Sequence, residues 1–69
     1  MVKANDAKVE WNSDKKRWQV VIHVGAEVIR RPCDHTPRET GETELRELAI
    51  ATAKDEGYDL DPGQVAVVR

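Results

Sequence analysis

The sequence is poor in the side chains that usually build a core. It has no Phe, and Trp11, Trp18 and Tyr58 are its only aromatics. Nine Val, three Ile and three Leu make up the branched aliphatic supply of 69 residues. A domain of this size buries roughly 60% of the surface its unfolded chain exposes. At ~25 cal/mol per Å² of apolar area, so small a supply offers little against chain entropy. Marginal stability, or support from a second copy, is the expected consequence.

Other absences bound the function. The single Cys33 excludes an intrachain disulfide framework, and a reducing compartment is the simple reading. The opening residues, MVKANDAKVE, lack the apolar core of a signal peptide. No run of ~18 apolar residues exists to span a membrane. The expectation is a soluble cytoplasmic protein with no membrane contact, built as one small domain over residues 1–69. No P-loop, GxGxxG or HExxH pattern occurs. A chain this short also lacks the bulk to enclose a substrate pocket of the usual size. A non-enzyme without cofactor or metal is expected.

Charge is plentiful at 35% of residues, with a net of −2. Residues 1–38 carry eight Lys/Arg against five Asp/Glu, whereas residues 39–69 carry three against eight. The first part is mildly basic and the second acidic, an asymmetry that can steer a partner.

The most apolar stretch is RWQVVIHVGAEVIRR, residues 17–31, and the rest is laid on it. Residues 1–6 are short and polar and read as a frayed, disordered start. Residues 7–11 alternate small or apolar with charged side chains, the signature of a strand with one buried face. Asn12 to Lys16 form a turn, with Asn, Ser and Asp able to bond nearby backbone. In residues 17–24, Trp18, Val20, Ile22 and Val24 share the core face. Arg17, Gln19, Val21 and His23 share the other. Gly25 permits the positive φ of a hairpin turn, and residues 26–31 return as a third strand. A two-residue loop pairs Val24 with Glu27 and sets Ile29 across from Ile22. A three-residue loop sets Val28 there instead. One residue of slip exchanges the faces.

Pro32 to Pro37 form a connection. Two helix starts then compete. Thr36-Pro37-Arg38-Glu39 has a capping box, and Thr40-Gly41-Glu42-Thr43 lies nearer the apolar pattern. A short turn at Thr36 running into a helix from near Gly41 reconciles them. Leu45, Leu48, Ala49 and Thr52 follow helical spacing, and Gly57 reads as the stop. Asp61-Pro62-Gly63-Gln64 suits a type II turn, and residues 64–69 make a last strand. The fold class is α+β, a two-layer sandwich in β-β-β-α-β order. One helix covers one face of a mainly antiparallel sheet, and the other face is open.

Cys33 and His35, with Asp34 between them and His23 elsewhere, have donor types that zinc accepts. Four ligands are not assembled, and no third group orients a nucleophilic pair. Better candidates are basic. Lys15, Lys16 and Arg17 lie at one hairpin end, to which the third strand returns Arg30 and Arg31. Five cations at one edge could bridge two or three phosphates, with Gln19 and His23 supplying hydrogen bonds. The net negative charge and the lack of a spare aromatic for stacking weigh against nucleic acid. A Lys/Arg cluster also guards a strand edge.

Thr40, Gly41, Glu42 and Thr43, with Glu47 and Leu48 beyond, resemble the T-x-G-[DE]-T-x-x-E-A stretch of HicB-like antitoxin domains. The resemblance covers about nine residues. It implies the same three-strand, helix, strand order and a partner-binding antitoxin. The family's aromatic strand and its Pro-Asp-Leu-Pro-Gly block are missing.

From the residues themselves, the leading expectation is a non-catalytic binding module. It would use the open sheet face or a strand edge to hold a protein, a second copy included. Val21 on that face is the informative residue. The alternative is a nucleic-acid contact through Lys15, Lys16, Arg17, Arg30 and Arg31.

Overall fold

Period-two alternation fixes which side of each strand is buried, and the turns fix how the strands meet. The computed structural model describes residues 2–33 and 36–68. Six strands and one helix follow in the order β1 (Val2–Lys3), β2 (Asp6–Asn12), β3 (Arg17–Val24), β4 (Glu27–Cys33), α1 (Glu42–Asp55), β5 (Tyr58–Asp59) and β6 (Val65–Val68). The main sheet runs β4-β3-β2-β6, and β1 pairs with β5 in a small separate ladder. The β2–β3 and β3–β4 pairs are antiparallel, and β6 joins β2 in parallel. The mixed α+β arrangement, mostly antiparallel with the helix packed on the sheet, is the one the pattern predicts.

The core lies between α1 and one sheet face. Ala7 and Val9, Trp18, Val20 and Ile22, and Val65 are buried there from β2, β3 and β6. Leu45, Ala49 and Ala53 meet them, spaced four apart on a single stripe. Two alanines in that stripe let the helix backbone approach the sheet closely.

Both hairpins are set by local chemistry. Asn12 Oδ1 accepts the backbone N–H of Asp14 at 3.1 Å and of Lys15 at 3.2 Å. That closes the β2–β3 turn and leaves Lys16 at a φ of +53°. In the β3–β4 loop Val24 pairs with Glu27 and Ile22 with Ile29, so the loop is the two-residue Gly25-Ala26. Gly25 has φ +58° and Ala26 does not share the positive region, the pattern of a type II′ turn. This register turns Ile29 toward the core and sends Val28 to the open face.

The expected frayed start is corrected from Val2 onward. Val2 pairs with Tyr58 and Lys3 with Asp59, and Ala4 is buried. The Ala4 N–H donates to the Asp59 carbonyl at 2.8 Å, and the Asn5 N–H to that of His23 at 2.8 Å. Backbone pairing is indifferent to side-chain polarity, so composition did not reveal it. The type II turn at Asp61 is also corrected. Gln64 N–H donates to Asp61 O at 3.0 Å, and Pro62–Gln64 is a 3₁₀ turn. Gly63 lacks the positive φ that a type II turn requires.

The helix start follows the reconciled reading. Gly41 is the N-cap, and Leu45 N–H donates to its carbonyl at 3.0 Å. The preceding turn is closed by Thr40, whose N–H donates to Pro37 O at 3.2 Å and whose hydroxyl donates to it at 2.7 Å. At the other end Gly57, at φ +89°, donates its N–H to Lys54 O at 3.0 Å. Among the described residues no helix is long and apolar enough to cross a membrane.

Candidate functional site

The uncovered sheet face is a grid whose rows follow from the strand register. One row runs Val28, His23, Asp6; the next Arg30, Val21, Lys8, Ala66; the third Pro32, Gln19, Glu10, Val68. Arg17 and Asn12 close it. Three of the polar candidates, Arg17, Gln19 and His23, therefore share this face with Val21 and Arg30.

Two close contacts join polar side chains on the face. His23 Nδ1 lies 2.6 Å from Asp6 Oδ1. Lys8 Nζ lies 3.2 Å from Glu10 Oε2. Val21 is only 4% exposed although it points away from the helix. Lys8 and Arg30 stand directly on either side of it, and long side chains with aliphatic stems at such positions can cover a small neighbour. Val21 is thus neither wet nor part of an open apolar patch. On this face the exposed large aliphatic groups are Val28 and Val68, each 46% exposed and on opposite edge strands.

The five basic residues are not gathered at one edge. Lys15 and Lys16 lie exposed in the β2–β3 turn, and Arg17 begins β3. Arg30 sits beside Val21, four residues along β3 from Arg17, or about 13 Å. Arg31 sits beside Val20 on the helix side, where its guanidinium pairs with the Glu56 carboxylate. Neighbours along a strand point to opposite faces, and that alone divides Arg30 from Arg31.

No aromatic of the described residues stands on the open face. Trp11 and Trp18 are on the helix side, edge to face with ring centroids 5.4 Å apart. The Arg38 guanidinium lies 5.6 Å from the Trp11 ring centre. A base would find no stacking platform among the open-face strands.

Cys33 ends β4 beside Trp18. Asp34 and His35 lie outside the described residues, and so does the Cys33–His35 pairing the sequence raised. Among the described residues no three His, Cys, Asp or Glu side chains converge as metal ligands would. A cleft of about 240 Å³ is lined by Arg31, Pro32, Thr52, Asp55 and Glu56. Its cation, Arg31, is the one already joined to Glu56.

The two sheet edges differ, and the sequence raised only the charged guard of one of them. The edge strand β4 carries Glu27, Arg30, Arg31 and Pro32. A two-residue loop makes Val24 and Glu27 a hydrogen-bonded pair, and alternation makes Gln19 and Pro32 a non-bonded pair. The Pro32 nitrogen therefore faces outward, where a donor is missing. Charge and proline both discourage pairing on that edge. The edge strand β6 reads VAVV, with neither charge nor proline. Among the described residues no strand pairs with its outer side. The signal was present in the sequence as an uncharged strand, but only strand order shows that it is an edge.

No family model, curated protein or solved structure matches the chain. The HicB-like resemblance also departs from its pattern in spacing. Three residues separate Thr43 from Glu47 where the pattern has two, and Thr40 adjoins Gly41 where the pattern has a spacer.

Proposed function

We propose that this chain is a non-catalytic protein-binding module whose working surface is the outer edge of β6. The observation that carries the reading is the contrast between edges. One edge has the charges and proline that block strand addition, and the other has neither. An open edge supplies main-chain donors and acceptors for an added strand, and alternate side chains supply selectivity. Ala66 and Val68 would meet the added strand on the open face, and Val65 and Val67 on the helix side. The divided basic residues and the missing stacking platform favour protein over nucleic acid. A cytoplasmic setting suits the single cysteine.

A titration tests this. The isotope-labelled chain is mixed with a synthetic peptide copying residues 64–68, and backbone amide shifts and exchange are followed. The amide of Val67, which alternation turns outward, should shift and gain protection, and those of Val28 and Arg30 should not. Unchanged β6 amides at millimolar peptide, or changes confined to β4, would sink the proposal. Duplex and single-stranded DNA at ~20 mM salt form the competing arm, because counterion release makes such contacts strongest there. Binding that fades as salt rises would replace this reading with a nucleic-acid one.

A further inference from the structure

We infer that the strand which β6 accepts is β6 of a second copy, joined antiparallel about a two-fold axis through Val67. The inference rests on the β6 reading above and names its partner. A closed dimer needs a surface complementary to itself. β6 meets that need because its described residues are all small or aliphatic and none carries a charge.

Facing residues of an antiparallel pair point to the same side, which leaves few registers. With Val67 on the axis, Ala66 faces Val68 of the partner subunit, and Val68 faces Ala66 of the partner subunit. The exposed Val68 is then covered from both copies. In this register the row through Lys8 and Ala66 continues into the row of the partner's Val68 and the partner's Glu10. Lys8 and the partner's Glu10, of opposite charge, thus flank the joined Ala66 and Val68. With Ala66 on the axis instead, Lys8 is in line with the partner's Lys8 and Val68 is left beside the partner's Gln64. The Val67 register is favoured on both counts.

The axis puts both helices on the same side of the joined sheet. Thr52, Asp55 and Glu56 turn toward β4, where they line the cleft with Arg31 and Pro32. Ile50 lies on the opposite flank at 100° per residue, toward β6. It is half-buried and packs against the core, as does Val67 below it. The helix contacts β6, β2 and β3 and so lies over β2, and two copies joined at β6 set their helices about three strand spacings apart, roughly 14 Å. That is wider than the roughly 8–10 Å of direct helix packing, and Ile50 of each copy faces the space between. Ile50 and Val67 of both copies then line the helix side, while Ala66 and Val68 close the open side.

Light scattering from micromolar to millimolar chain is the first measurement, and a rise to twice the chain mass is expected. Val68→Lys, at an exposed position, should keep the fold by circular dichroism and hold the chain as a monomer. In a Cys33→Ser background, Val67→Cys should oxidise to a covalent dimer. A bonded antiparallel pair sets Cα atoms about 5.5 Å apart, within disulfide reach. Ala66→Cys in that background should not cross-link. A monomer at every concentration overturns the self-pairing. So does a dimer that survives Val68→Lys, or one that cross-links through Ala66→Cys and not Val67→Cys. If the peptide still protects β6 amides in a monomeric chain, the strand-binding reading stands and only the identity of the partner falls.

Discussion

Trp18 donates its indole N–H to the carbonyl oxygen of Pro37 at 2.8 Å. The donor is a fully buried strand residue, and the acceptor also receives both hydrogen bonds from Thr40. One carbonyl therefore ties the start of an inner strand to the turn that launches α1. Trp18→Phe removes the donor and leaves space behind it. We expect a loss of about 2–3 kcal/mol in urea unfolding, from one hydrogen bond and a small cavity. The Thr40 amide should also exchange faster. A loss under about 0.5 kcal/mol, the range of an ordinary surface change, would mean the link does not hold the connection.

Lys16 occupies the left-handed region at φ +53° with a side chain attached. Its place is set by the Asn12 side chain closing the turn before it. Glycine relieves the contact between Cβ and backbone at a cost in unfolded-chain entropy. Lys16→Gly should raise stability by about 0.5–1 kcal/mol. The urea midpoint should move up with an unchanged slope. A lower midpoint would show that the lysine has a compensating contact.

Ala49 is fully buried between helix and sheet. Its small size sets their separation. Ala49→Leu should cost about 1–3 kcal/mol by overpacking. Ala51→Leu, on the exposed side of the same helix, should change stability by less than about 0.5 kcal/mol. Equal effects at the two positions would contradict the close helix approach.

Pro32 removes an outward N–H from the β4 edge. Pro32→Val restores it and adds a β-branched side chain. The variant should associate more strongly with concentration than the parent in light scattering, through the edge it unblocks. If its association matches the parent, Arg30 and Arg31 alone suffice to guard that edge.

The helix was legible because its signals are local. Leu45 and Ala49 recur at helical spacing, and Gly57 stops the chain where expected. The core side of β3 was legible for the same reason: Trp18, Val20 and Ile22 alternate without interruption, and all are buried. The pairing of Val2 and Lys3 was not, since it depends on Tyr58 and Asp59 more than fifty residues away. The separation of Arg30 from Arg31 followed from period two, but their partners did not. Only the fold brings Glu56 to one of them and Val21 to the other.

The hairpin of β3 and β4 divides the two kinds of information. Its existence, its turn at Gly25 and the buried side of β3 were written in neighbouring residues, because alternation and a positive φ act over a few bonds. Two registers remained, and local chemistry weighed them nearly equally. Packing decided between them by turning Ile29 inward and Val28 outward. The same holds at the far side of the sheet. Residues 65–68 read as a strand from their own side chains, but being an edge is a property of strand order. Strand order comes from the crossover of α1 over β3 and β2, which brings β6 to the end of the sheet, where no described strand pairs with its outer side.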